Sequence, residues 1–323
     1  MSLSAAIDVG SNTIRLLIGN FQNNRIQHFL YQRRITRLAD GINQSRVLSA
    51  ERMEASLTVL QEFSSLIQSN GVKAVKAVAT SALREACNAE GFIEKVFTDT
   101  GISIQVISGE QEAELTLKGV LSSFPESTLT HNNSLLIIDI GGGSTEWILC
   151  RGEHPVAMGS IPIGVIKLHE NFIKTDPVSK EDIAALNREI VSSIEILKKD
   201  IKNYINKETH LIGTAGTFST LASIDLHLEM YSREKIHLHR LPLTRLLNIR
   251  DTLIAFPVRE RMNMTGLEPG RADLIIPGIQ FTISMMKRFS IDELIVSDHG
   301  LLEGALLSAR ETLEKSISET GKS

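Results

Sequence analysis

Asp139 ends the apolar run Leu135 to Ile138 and is followed by Gly141, Gly142, Gly143, Ser144, Thr145 and Glu146. A carboxylate closing a buried strand belongs at a cleft, and successive glycines admit an oxygen-rich ligand because no Cβ stands in the way. Ser144 and Thr145 add hydroxyl donors. The stretch therefore reads as a loop that wraps phosphate oxygens, with Asp139 and Glu146 recruiting a hard cation. For three glycines alone, a Gly-rich hairpin with a capping Asp is the blander reading. A second copy shifts the balance. Ala5 to Arg15 contains Asp8, Gly10, Ser11, Asn12, Thr13 and Arg15, and aligning Asp8 with Asp139 lays Ile-Asp-Val-Gly-Ser-Asn-Thr on Ile-Asp-Ile-Gly-Gly-Gly-Ser. One phosphate-type turn used twice predicts two similar α/β halves facing each other across a cleft, each supplying a loop and an acid.

Further residues could join them. Arg84 follows Thr80 and Ser81 at the start of an expected helix, where a cation opposes the helix dipole and an anionic ligand would justify it. A salt bridge to Glu85 or Glu90 is the alternative. Glu110, Glu112 and Glu114 crowd a strand-to-helix turn; the dipole alone accounts for them, or one of them orients an attacking water. Gly213, Thr214 and Gly216 form a third small-residue turn able to hold phosphate, weak by itself. Arg33, Arg34 and Arg37 read equally as a solvated loop or as a mouth for an anion. His237 and His239 alternate with apolar residues, as on one exposed strand face, and His299 reads as structural or at a substrate edge.

The positioning elements follow from periodicity. Strands are expected at Ala5 to Val9, Thr13 to Phe21, Arg25 to Tyr31, Ala74 to Ala79, Ile104 to Ile107, Leu135 to Ile138, Trp147 to Cys150, Ala157 to Ile161, His210 to Ile212 and Glu293 to Val296. Amphipathic helices are expected over Ser49 to Asn70, closed by Gly71, and over Lys180 to Tyr204. Gly270 to Asp273 should open another helix, with Asp273 in its first turn, and Gly300 one that runs to about Glu314. Ser122 to Asn133 reads as the linker between halves.

The totals fit this reading. A chain of 323 residues suits two domains, and its 42% hydrophobic and 22% charged content is that of an ordinary globular protein. A net charge of −4 gives no support for bulk nucleic-acid binding, so a polyanion would have to be met by local Arg and Lys. Cys87 and Cys150 have neither metal nor disulfide spacing. Without a leader pattern or a membrane-length apolar window, a cytoplasmic location and no membrane partner are expected.

Taken in order, Asp8 to Arg15, Thr80 to Ala86, Ser108 to Ala113, Asp139 to Glu146, Gly213 to Thr217, Arg271 to Asp273 and Ser297 to Gly304 resemble the motifs of the exopolyphosphatase/guanosine pentaphosphate phosphohydrolase (Ppx/GppA) family. The resemblance spans nearly the whole chain and matches the short, two-domain form. It implies an actin/Hsp70/sugar-kinase fold, two ribonuclease-H-like α/β domains around a central cleft. Residues 1–124 would form the first domain, with a helix at 301–323 packing back on it, and residues 125–300 the second. It implies Mg²⁺-dependent removal of terminal phosphate from inorganic polyphosphate, or conversion of pppGpp to ppGpp in the stringent response, and a homodimer. By position, Glu112 resembles the base that activates water. Asp139 and Glu146 resemble the metal-binding acids, with Asp8 joining through water. Gly10 to Thr13, Gly141 to Thr145 and Arg84 resemble the phosphate clamps. Where the family pattern has Arg after Gly-Leu in the last motif, this chain has Leu302, which places a charged contact there in doubt. Two other readings compete: an ATP-using enzyme of the same fold, and a non-catalytic sensor of ppGpp or polyphosphate. The acid-rich turn at Glu112 favours the hydrolase.

Overall fold

The computed structural model describes residues 2–22, 25–124, 134–206 and 208–320. The chain divides into two compact units, Met1–Ser123 with His299–Ser323, and Phe124–Asp298. The first is built on a sheet of β1 (Ser4–Val9), β2 (Thr13–Gln22), β3 (Arg25–Ile35), β4 (Ala74–Ala79) and β5 (Ile104–Val106), ordered β3-β2-β1-β4-β5. β1, β2 and β3 pair antiparallel, while β1, β4 and β5 run parallel. All of β1 is buried, as its central place in the sheet requires. One face carries Ala6, Leu17 and Val78, covered by Leu301, Leu302, Ala305 and Leu306 of the helix Leu301–Thr320. Leu302 is 1% exposed in that cluster, so a leucine there adds about 1.5–3 kcal/mol of apolar burial, whereas an arginine would need a buried partner. The same helix packs on the helix Gly109–Leu121, at a contact that only glycine permits. A Cβ on Gly304 would stand 1.8 Å from the Leu115 carbonyl oxygen, and one on Gly119 would stand 1.9 Å from that of Gly300.

The second unit repeats the plan. β6 (Ser134–Ile140), β7 (Thr145–Arg151), β8 (His154–Ile161), β9 (Thr209–Thr214), β10 (Arg240–Pro242) and β11 (Glu293–Val296) are ordered β10-β11-β9-β6-β7-β8. β6, β7 and β8 form the antiparallel meander, β6, β9 and β11 run parallel, and β10 is an added edge. Removing β10 leaves the strand order of the first sheet. These are the paired ribonuclease-H-like α/β sheets that the resemblance implies. Among the helices, Ile275–Phe289 is buried along most of its length and Lys180–Ile201 is capped by Ser179, whose hydroxyl accepts from Asp182 N. No helix among the described residues is long and apolar enough to cross a membrane.

Several local expectations change. Arg33 and Arg34 lie within β3 rather than in a loop, and Arg34 pairs with Glu62. Thr80 to Ala86 and the residues after them form two helices, Ser81–Glu85 and Ala89–Thr100, so Arg84 sits in a last turn and does not oppose a dipole. The segment around His237 and His239 is a short helix, Arg233–Ile236, and a turn, not a strand face. His237 Nδ1 accepts from the Asp298 amide and His239 Nε2 meets Asp225, while Leu238 takes a left-handed φ of 62° that breaks the extended run, so the strand begins only at Arg240. Asp273 precedes its helix, because a 3-10 turn at Pro269–Arg271 intervenes and Leu274 is the N-cap. Of the expected linker, residues 125–133 lie outside the described residues.

Candidate functional site

In the first unit the carboxyl ends of the parallel strands β1, β4 and β5 are laced together by side chains. In such sheets ligands bind at these ends. After β1, Gly10 N donates to Thr13 O at 3.1 Å and closes a tight turn. A Cβ on Gly10 would stand 2.9 Å from that same oxygen, so the turn requires glycine. Ser11 Oγ lies 2.8 Å from Ser81 Oγ, which ties the turn to the exit of β4. From the next helix, Arg84 Nη1 donates to Ile107 O at 2.7 Å and lies 3.4 Å from Glu112 Oε2, tying β4 to β5. Ser108 and Gln111 form the capping box of the helix Gly109–Leu121, so the cap does not use Glu112. Glu110 and Glu114 are exposed, whereas Glu112 is 6% exposed. Of the three acids, burial beside a guanidinium singles out Glu112.

Asp8 and Arg15 meet each other. They face across the β1–β2 register, and Arg15 Nε and Nη2 both donate to Asp8 Oδ2, at 2.9 and 2.6 Å. Burial alone would pull the Arg15 pKa down, but the charge of Asp8, then Tyr31 and Glu303, push it up, so Arg15 stays a cation. Glu303 is buried too, and its Oε2 accepts from Gly300 N at the start of its own helix.

The second unit carries the same turn with a different charge. Gly141 N donates to Ser144 O at 3.0 Å, as Gly10 does to Thr13. Gly141 O and Gly142 O accept from Val165 N and Ile166 N, both at 2.9 Å, so the loop occupies the orphan amides of the helix Val165–Phe172. Gly164 allows this approach, because a Cβ there would stand 2.4 Å from the Gly142 carbonyl. Thr145 Oγ1 donates to Ile163 O at 2.6 Å and fixes the other side. In a trans peptide the N–H points opposite the C=O. With both carbonyls turned to the helix, the N–H groups of Gly142 and Gly143 point the other way. The first turn does likewise: Ser11 O accepts from Ala39 N, Asn12 O accepts from Thr36 N and Arg37 N, and the amides of Asn12 and Thr13 point away. Successive amides of this kind suit an oxyanion.

Asp139 faces Glu146 across β6 and β7, and Thr214 across β6 and β9. Arg15 and Glu146 are therefore equivalent positions of the duplicated hairpin. The first half neutralises its strand-end acid; the second doubles it. Both second-half carboxylates are buried, and Ser160 Oγ orients Glu146 by donating to Oε1 at 2.7 Å. A pair of carboxylates fits Mg²⁺, which takes one or two and completes its shell with water and substrate oxygens. No cluster of three or more His, Cys, Asp or Glu able to hold a metal occurs among the described residues.

Thr214 stands at the N-cap position of the helix Ala215–Asp225 without a side-chain capping bond, and Ala215 takes a left-handed φ of 68°. Here the structure places a residue to which the sequence assigned no contact. A Cβ on Gly216 would stand 2.3 Å from Arg271 Nη1, so the guanidinium lies directly over the first turn of this helix. Its charge is met by Glu268, whose Oε2 accepts from Arg271 Nε at 3.3 Å. The Arg271-Ala272-Asp273 string was visible; its place over Gly216 was not.

The model of the Ppx/GppA phosphatase family matches residues 17–313. Exopolyphosphatase 2 of Mycobacterium tuberculosis is 30% identical over 318 residues, covering 94% of this chain and 97% of that protein. A bifunctional 3-dehydroquinate synthase/phosphatase of Fusobacterium nucleatum is 32% identical over 96% of this chain, which spans 47% of that protein. A guanosine-5'-triphosphate,3'-diphosphate pyrophosphatase of Aliivibrio fischeri is 29% identical over 93% of this chain, which spans 58% of it. The crystal structure of an exopolyphosphatase from Cytophaga hutchinsonii superposes with a TM-score of 0.86 at 30% identity, covering 94% of this chain and 96% of that one.

Proposed function

The chain belongs to the Ppx/GppA phosphatase family, hydrolases of phosphoric anhydrides, and we propose that it releases the terminal phosphate of inorganic polyphosphate, with pppGpp as the competing substrate. The observation that carries this reading is the buried Glu112 carboxylate 3.4 Å from Arg84, at strand ends that also bear a phosphate-type turn. Phosphoryl transfer rests on positioning and charge neutralisation more than on covalent help from the protein. Amide N–H groups of the first turn and the Arg84 guanidinium hold the oxygens of the terminal phosphoryl group. Glu112 accepts a proton from a water aligned opposite the bridging oxygen; the new P–O bond forms as the bridging P–O bond breaks, and the shortened chain leaves as a phosphate anion. In the second unit Asp139 and Glu146 would hold a divalent cation, which would supply charge neutralisation to phosphate oxygens at the second turn. Asp8 fixes Arg15 in place and keeps that charge beside the first turn.

The test is Glu112→Gln, which preserves shape and removes basicity. Turnover should fall by about 10²–10⁴-fold while tripolyphosphate affinity is kept. Unchanged turnover would remove Glu112 from the mechanism. Binding without turnover in the wild-type protein would make the chain a sensor.

A further inference from the structure

Buried polar groups without hydrogen-bond partners are rare, and each one calls for an explanation. Beside the first turn there are three residues with such groups. Asp8 Oδ1, both side-chain polar atoms of Asn12, and Thr36 Oγ1 are buried without a hydrogen-bond partner among the described residues. Asn12 is 7% and Thr36 4% exposed. Two of the three are facing neighbours. Thr13 pairs with Ile35 in the β2–β3 register, so Asn12 and Thr36 are the next facing positions, and Thr36 N donates to Asn12 O at 3.1 Å. Facing residues of an antiparallel pair have side chains within reach of each other. A hydroxyl and an amide could satisfy one another there, yet neither does. The backbone holds them fixed: Arg37 takes a left-handed φ of 51° while its N–H joins that of Thr36 on Asn12 O.

We propose that Thr36 is a ligand-binding residue, its hydroxyl and the Asn12 amide donating together to a phosphate oxygen held at the first turn. This rests on the reading of the turn as a phosphate site and extends that site to the residue that follows β3. The ligand class is a condensed phosphate or a phosphoanhydride terminus, which offers acceptor oxygens to two neutral donors. Leaving these donors unsatisfied without ligand is a stability–function trade.

The trade gives a signature that a merely structural threonine would not show. Thr36→Val keeps the shape and removes the unsatisfied hydroxyl, so the ligand-free midpoint of unfolding should rise by about 2 °C. The same variant should bind tripolyphosphate about tenfold more weakly, measured by calorimetric titration into metal-free protein and repeated in Mg²⁺. Thr36→Ser, which restores the hydroxyl, should return to wild-type affinity, and Thr36→Ala provides a second deletion if valine folds poorly. Wild-type affinity in both deletions overturns the inference, whatever the midpoint does. Wild-type protein that hydrolyses polyphosphate while Thr36→Val matches its affinity leaves the proposed function standing and refutes this one. Thr36-dependent binding with no turnover on any anhydride does the reverse.

Discussion

Gly304→Ala tests how the fold places Glu112, from a position outside the chemistry. Gly304 lies on the helix Leu301–Thr320 against Leu115, one turn beyond Glu112 on the helix Gly109–Leu121. The added Cβ would stand 1.8 Å from Leu115 O and 2.6 Å from its carbonyl carbon, where ordinary contact begins at 3.4 Å. Both atoms are backbone, so no side chain can rotate away; the helices must part by about 1.6 Å. Overpacking of this kind costs about 1–3 kcal/mol of stability. Its effect on chemistry is larger, because misplacing a catalytic group by about 1 Å costs on the order of 100-fold in rate. The expected outcome is kcat about 100-fold lower with KM little changed, assayed as phosphate release well below the variant's unfolding midpoint. Gly91→Ala is the control. Gly91 is in the helix Ala89–Thr100 with nothing within 4 Å of its added Cβ, so it should gain about 0.5–1 kcal/mol and keep full activity. A folded Gly304→Ala protein with wild-type kcat would refute the claim that this close helix contact positions Glu112.

Neutralising either member of the second-half acid pair, by Asp139→Asn or Glu146→Gln, should raise the Mg²⁺ concentration for half-maximal activity at least about tenfold and weaken calorimetric Mg²⁺ binding. Asp8→Ala should instead leave the half-buried Arg15 without its bidentate partner and cost about 1–3 kcal/mol of stability, seen as a lowered unfolding midpoint rather than as a first effect on Mg²⁺. At Asp182, burial alone would raise the carboxyl pKa, but hydrogen bonds from Thr175 Oγ1 and the Lys174 and Thr175 amides outweigh it and hold the value below the ordinary one. Its contribution is therefore complete above about pH 4 and lost as pH falls through the lowered value, so Asp182→Ala should flatten the acid limb of thermal stability.

Much of this was legible because it is local. The turns after Asp8 and Asp139 repeat at one spacing, and the structure closes both by the same hydrogen bond, Gly10 N to Thr13 O and Gly141 N to Ser144 O. Ser49 and Gly71 marked the ends of the helix Ala50–Ser69, where Ser49 Oγ accepts from Arg52 N and Gly71 takes a φ of 62°. What was illegible depends on partners distant in sequence. The pairing of Arg233 with Asp298, of Arg240 with Glu293 and of Arg245 with Asp225 has no local sign in the sequence. Arg271 gives no local sign that it lies over Gly216. Arg15 and Glu146 look unrelated in sequence, and only the register shows them as one position with opposite charge.

The most direct test of the central claim is phosphate release in Mg²⁺ from long-chain polyphosphate, tripolyphosphate, pppGpp and ATP at equal terminal-phosphate concentration. The proposed function requires release from polyphosphate or pppGpp, little from ATP, and release at least about 100-fold slower once Glu112 is glutamine. Release from ATP alone, or release undiminished by Glu112→Gln, would contradict it.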